Sequence, residues 1–190
     1  NIAEQIVSAK KYVSVIGHFQ SSCSMGAAPV YQEHNMIEVS PTSSHNDFPL
    51  IGDHIFSATQ VSEDEDITIC KAVILDSAVA PKKVGILVIN NDWGKECGKN
   101  CERLIPEYAA KRGVKVEVYT EVVTEGSDDY SAAVANFKNA GIEYLLGRAT
   151  YPVAIPFMNQ LLNAMPNVKV INGINCMVPQ LTDVLGNKAK

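Results

Sequence analysis

Short apolar, β-branched runs alternate along this chain with stretches of helical periodicity. In the second part, runs open at Val84 (VGILVIN), Val114 (VKVEVY), Ile142 (IEYLL) and Val168 (VKVIN). Their starts lie about 26–30 residues apart, the length of one strand–helix–strand unit. The intervening patterns predict a helix over Gly94–Arg112 that stops at Gly113, a helix opened by Asp128 or Asp129 that ends at Ala140 before Gly141, and a helix over Val153–Met165. Pro156 is expected in the first turn of the last of these, where the missing N–H costs least. The acidic run Glu63–Asp66 opens another helix, through about Ser77, and its carboxylates are expected to be solvated and to complement the helix dipole. Strands alternating with helices predict parallel sheets covered on both faces.

The first part repeats the pattern with different punctuation. The run Tyr12–Ile16 ends at Gly17-His18, and a serine-rich turn (Ser21, Ser22, Ser24) leads into a short amphipathic helix. The run Met36–Val39 stops at Ser40-Pro41 and is followed by Thr42, Ser43 and Ser44. Asp53–Gln60 reads as a strand running into a connection, which sets a boundary near residue 60. Two strands thus end in hydroxyl-rich turns, the first of them opening a helix. In open α/β sheets, ligands bind outside the carboxyl ends of the strands. Free N–H groups and the positive end of a helix dipole suit such a turn to an anion, commonly a carboxylate or phosphate. The same serines also suit plain helix capping, and the residues alone leave the two readings open.

Composition narrows the classes. The 190 residues make one large domain or two lobes, and the hydrophobic content of 46% is that of an ordinary globular protein. The net charge is −5 and the 16 Lys and Arg are scattered, so no basic stripe points to nucleic acid. No apolar run approaches the ~20 residues that span a bilayer. The chain opens on Asn with no signal-peptide pattern, which fits a mature protein or an excised piece. The cysteines are Cys23, Cys70, Cys97, Cys101 and Cys176, odd in number and without a CxxC pair. They are expected to be buried or half-buried free thiols, with a disulfide as the alternative. His18, His34, His45 and His54 match no ligand spacing, and no metal or cofactor is expected.

Several pieces together resemble a family. Gly17-His18 with the serine turn, Ala27-Ala28-Pro29-Val30-Tyr31, Ile37-Glu38-Val39-Ser40-Pro41, Asn91-Asp92-Trp93-Gly94, Gly126–Ser131, Gly147 and Tyr151-Pro152 occur in the order and spacing of type I periplasmic solute-binding proteins, specifically the branched-chain amino-acid binding group of ABC importers. The resemblance covers essentially the whole chain. It implies an α/β fold with Rossmann-like parallel sheets: a partial first lobe over 1–60 and a nearly complete second lobe over 61–190. It also implies that the chain is a fragment, lacking the first lobe's opening strand–helix unit and closing segment. The partners it implies are a small-molecule ligand, closed between the lobes, and an ABC transporter permease. A dimer through the incomplete first lobe is a further expectation. The location it implies is periplasmic or extracellular, with or without a lipid anchor.

The site residues follow from the same resemblance. Ser21 and Ser22 match the turn that holds the ligand carboxylate. Thr42, Ser43 and Ser44 match the other ligand-facing loop of this lobe, the alternative being an ordinary Ser/Thr turn. Trp93 and Tyr151 follow strand ends and match aromatics that face the cleft, or else pack under their loops. Arg148 follows Ile142–Leu146; facing inward it favours an anionic solute, facing outward it is a solvated surface residue. One departure stands out. Amino-acid binders of this family place an acid after the strand matching Val168–Asn172, whereas this chain has Asn172-Gly173-Ile174-Asn175. That puts an α-amino-acid ligand in question, since a buried ammonium needs a partner. Two other readings are a ligand-sensing ectodomain of a signalling receptor and, more remotely, an enzyme using Cys23 as nucleophile with His18 as base.

Overall fold

The computed structural model describes residues 2–186, which divide into two compact units. One runs up to Glu65 and includes Asn91–Glu96; the other comprises Asp66–Asn90 and the chain from Cys97 onward.

The first unit contains α1 (Ile2–Ser8), β1 (Ser14–Ile16), α2 (Ser21–Glu33), β2 (Ile37–Ser40), a 3-10 turn (Phe48–Leu50) and β3 (Ile55–Ser57). The strands are parallel in the order β1-β2-β3, with Val15 beside Glu38 and Glu38 beside Ile55. Ala27, Ala28 and Tyr31 of α2 pack with Ala3, Phe48 and Ile55 to form its core. The other sheet face is open among the described residues: Ile16 is 82% exposed, Phe56 48% and Ile37 41%.

The second unit takes up the chain within α3 (Ser62–Lys71) and a π-helical turn (Ala72–Asp76). It continues through β4 (Lys83–Ile89), α4 (Asp92–Arg112), β5 (Glu117–Val123), α5 (Ser131–Ala140), β6 (Tyr144–Arg148), α6 (Tyr151–Ala164) and β7 (Lys169–Asn172). A 3-10 turn (Ile174–Cys176) and α7 (Pro179–Leu185) follow. All four strands are parallel, in the order β5-β4-β6-β7. In the central β4 every residue from Val84 to Ile89 is buried and only the first, Lys83, is half-buried, as a strand covered on both faces requires. Val84, Ile86 and Val88 meet Val73, Ile74 and Ile105 in the core.

Element boundaries shift where caps intrude. Gly113 has φ 75°, and the next N–H, that of Val114, turns back 2.9 Å to the Ala109 carbonyl. This closes α4 and spends the start of the Val114 run on the cap, so β5 opens only at Glu117. Gly141 (φ 71°) and Ile142 do the same for α5, which delays β6 to Tyr144. At the start of α5, Asp129 Oδ1 accepts the Ser131 N–H at 2.8 Å. Helix α6 opens at Tyr151, earlier than expected, because the Thr150 carbonyl already accepts from Val153 and Ala154. Pro156 therefore falls beyond the first turn. The helix expected through Ser77 winds more widely after Lys71.

The acidic run needs a correction. Glu63, Asp64 and Glu65 lie in the first turn of α3, but Asp66 is fully buried rather than solvated. All five cysteines are free; Cys70, Cys97, Cys101 and Cys176 are buried and Cys23 is exposed.

Candidate functional site

Because β1 and β2 are neighbouring parallel strands, the turns that leave their carboxyl ends lie side by side. The first passes through Gly17-His18 into α2. The helix begins at Ser21 itself, with Gln20 at the cap position and no side-chain cap bond, so the serines are not capping residues. Cys23 and Ser24 donate to the Gln20 carbonyl, which leaves the N–H groups of Ser21 and Ser22 outside the helical ladder. Ser21 is 6% exposed and Ser22 is half-buried. The N–H groups of Ser21 and Ser22 and the positive end of the helix dipole thus lie together at the start of α2.

The second turn is held against the first. Ser24 Oγ receives the His18 N–H at 3.1 Å and lies 2.6 Å from Ser43 Oγ. The His18 carbonyl accepts from Ser40 Oγ at 2.8 Å and Ser43 Oγ at 3.3 Å, while Thr42 Oγ1 donates to the Phe19 carbonyl at 2.8 Å. Ser40 Oγ in turn accepts the Ser43 N–H at 2.9 Å. Ser44 is tied elsewhere: its Oγ is 3.0 Å from Ser62 Oγ, and its carbonyl accepts both the Ser62 N–H and hydroxyl. The structure therefore ties Thr42 and Ser43 to the first turn through His18, Phe19 and Ser24, a turn after Ser21 and Ser22 in α2, while Ser44 is bonded to Ser62.

The other sequence-predicted residues lie on other elements. Trp93 is the second residue of α4, groups with the first unit, and is buried at 8% exposure. Tyr151 opens α6 in the second unit and is 40% exposed. Arg148 closes β6 and has no exposed surface, which corrects the solvated alternative. Its Nε lies 2.8 Å from Asp66 Oδ1, and an Nη donates to Cys97 Sγ at 3.4 Å. Asn100 Nδ2 donates to the second Asp66 oxygen at 2.9 Å. The imidazole of His18 stacks on Tyr31, whose hydroxyl is 3.4 Å from Nε2, while Cys23 faces solvent. Among the described residues no cluster of three His, Cys, Asp or Glu is placed to hold a metal.

Sequence reasoning named Ser24, Ser40 and Ser43 but missed that they and Glu38 form a buried polar layer. Ser24, Glu38, Ser40 and Ser43 are all buried, although two of them lie on the covered face of a core strand. The signal was there in the alternation of Ile37-Glu38-Val39-Ser40, whose polar positions share one face. Burial raises the Glu38 carboxyl to about 7, with the Ser24 hydroxyl pulling weakly the other way. Burial and, behind it, the charge of Glu38 raise the Tyr31 phenol as well.

Comparison with known proteins gives this geometry a context. The family model described as periplasmic binding protein matches residues 1–183. The Leu/Ile/Val-binding protein homolog 1 of Brucella abortus is 24% identical over 173 residues, 91% of this chain and 45% of that protein. An amino acid binding protein of Pseudomonas aeruginosa is 25% identical over 84% of this chain and 41% of its own length. The chain thus spans about half the length of the curated relatives it matches. Among solved structures, a branched-chain amino acid transporter substrate-binding protein from Streptococcus pneumoniae in complex with isoleucine has TM-score 0.80 at 17% identity, covering 99% of this chain and 51% of that one. A solute-binding protein of an R. palustris ABC transporter in complex with benzoate has TM-score 0.84 at 11% identity, covering 98% and 50%. A parallel α/β fold with paired hydroxyl turns at its strand ends, and a family match over nearly the whole chain, lead to one assignment: the chain belongs to the periplasmic binding protein family.

Proposed function

We propose that this chain binds a small carboxylate-bearing solute, an amino acid or a related acid or amide, for delivery to an ABC importer from a periplasmic or extracellular location. The observation that supports the reading most directly is the start of α2. There Ser21 and Ser22 open the helix without a side-chain cap bond, and the neighbouring Thr42 turn is tied to the loop that precedes them. Such a cradle complements a carboxylate through charge-assisted hydrogen bonds. Thr42, exposed on the second turn, which Ser43 holds in place, offers its hydroxyl oxygen as an acceptor for a second polar group of the solute. The relatives fit this class: one solved structure holds isoleucine and another benzoate. The Asn172–Asn175 segment offers no acid for an ammonium, which favours a solute whose recognition rests on its carboxylate.

Calorimetry with benzoate and isoleucine as probes tests the reading. A hydrogen bond to a charged group is worth about 1.5–3 kcal/mol, so Ser21→Ala and Ser22→Ala should each weaken the bound probe roughly tenfold or more. Unchanged affinity in both variants would reject the carboxylate cradle. The open face of the β1–β3 sheet supports the further reading that two copies pair there. Sedimentation equilibrium should then show a dimer that Phe56→Lys disperses; a monomer at all concentrations would reject pairing.

A further inference from the structure

Glu38 is the feature that solute binding by the turns leaves unexplained. It occupies the middle strand of the first unit's sheet, with no exposed surface, and neither carboxyl oxygen is held by a well-formed hydrogen bond; the Ser24 hydroxyl is the one group that favours its charged form. A buried ionised carboxylate without partners is costly, and the cost is relieved when the group takes a proton. Its neighbours offer little else. β1 and β3 place the aliphatic Val15 and Ile55 beside it in register, and the 3-10 turn adds Phe48 to the same core. From α2 come the Ser24 hydroxyl and the Tyr31 phenol. His18, after β1, turns its ring to Tyr31, and His54, before β3, contributes its carbonyl to the Glu38 N–H at 2.9 Å. No lysine or arginine shifts the carboxyl.

The Ser24 hydroxyl, which acts on this acid from α2, is itself tied to both turns: its Oγ receives the His18 N–H and meets Ser43 Oγ at 2.6 Å. We infer that Glu38 is a proton-binding site wired through Ser24 to the two hydroxyl turns, so that the proton state of this buried acid sets their affinity for a solute carboxylate; the inference rests on the solute-binding reading of those turns. Protonated, the carboxyl is neutral and has its own O–H to offer to Ser24 Oγ, leaving the Ser24 hydroxyl hydrogen free to bridge to Ser43. When the proton returns to bulk water, the carboxylate draws that hydrogen to itself and the Ser24–Ser43 bridge loses a donor. The new negative charge also lies by Ser24, in the first turn of α2, and opposes an anion bound at that helix start. A raised carboxyl at about 7 agrees with a site that changes state near neutrality.

The test needs no known ligand. In the full chain with carboxyl-labelled glutamate, the Glu38 carbon resonance should titrate well above the range of exposed glutamates. The Ser24 and Ser43 amide resonances should move with the same midpoint. Both changes should vanish in Glu38→Gln, which keeps the shape and cannot ionise, and in Glu38→Met. A Glu38 midpoint in the ordinary glutamate range would overturn the proposal, as would Ser24 and Ser43 amides that titrate unchanged in both variants. Calorimetry with benzoate, which keeps its charge throughout, should show several-fold weaker binding at pH about 8 than at pH about 6. Glu38→Gln should abolish the difference; equal affinities in the unmodified chain would overturn the coupling to the turns. Absence of benzoate binding at both values, with the resonances titrating as described, would count against the solute reading and leave the proton site standing.

Discussion

Replacing Arg148 by Met is the sharpest probe of what holds the second unit together. Arg148 and Asp66 have no exposed surface, and their charges meet at 2.8 Å between β6 and α3. Removing the guanidinium leaves Asp66 buried beside a hydrophobic side chain. Stranding one member of a buried ion pair costs about 3–5 kcal/mol. Asn100 still donates to Asp66 Oδ2, so the loss should fall near the lower end, about 3 kcal/mol. With a urea dependence of roughly 2 kcal/mol per molar for a chain of this size, the midpoint should drop by about 1.5 M. Circular dichroism under urea measures it. The double variant Asp66→Leu/Arg148→Met removes both charges and fills the space with aliphatic carbon, and should recover most of that loss. The cycle separates a mutual electrostatic dependence from simple loss of packing. A single variant within about 1 kcal/mol of the unmodified chain would refute the reasoning, and so would a double variant no more stable than the sum of the two singles.

Two other outcomes follow from the same structure. Glu38 has a folded-state carboxyl raised from 4.5 to about 7, so the folded state binds the proton more tightly; the stabilisation is full below about 4.5 and is lost as pH rises through about 7, a change of about 3 kcal/mol that urea midpoints across this range should show and Glu38→Gln should flatten. A limited-proteolysis time course should cut first within residues 1–60 or just after them and leave the 61–185 stretch, with its four paired strands, intact; early loss of the Val84–Asn172 region would count against separate folding units.

Much of the architecture was legible because its causes are local. The strand–helix spacing from Val84 to Asn172 reflects periodicities of two and about 3.6 residues, and those act within a few positions. Gly113 and Gly141 end their helices because a left-handed residue is needed there, a demand that neighbouring residues alone express. The hydroxyl clusters after the first two strands were visible for the same reason, as was the family, whose pieces are carried by their order along the chain. Cap geometry accounts for the strand starts that moved: a reader of apolar runs assigns Val114 and Ile142 to strands, while their N–H groups belong to the preceding helix ends.

Burial and partnership were decided only by the tertiary structure, because they depend on what a distant segment brings. Asp66 reads as one more carboxylate in an acidic run, and Arg148 as a loop cation; they become a dry ion pair only when α3 packs beside β6. Ser24 and Ser43 are 19 residues apart, and their bridge exists because two parallel strands end at the same level. Glu38 shows the limit most plainly. Its place in an apolar run marks it as part of a strand, but only the packing of α2 over that strand removes it from water, and only that removal turns an ordinary carboxylate into an acid that holds its proton near neutrality.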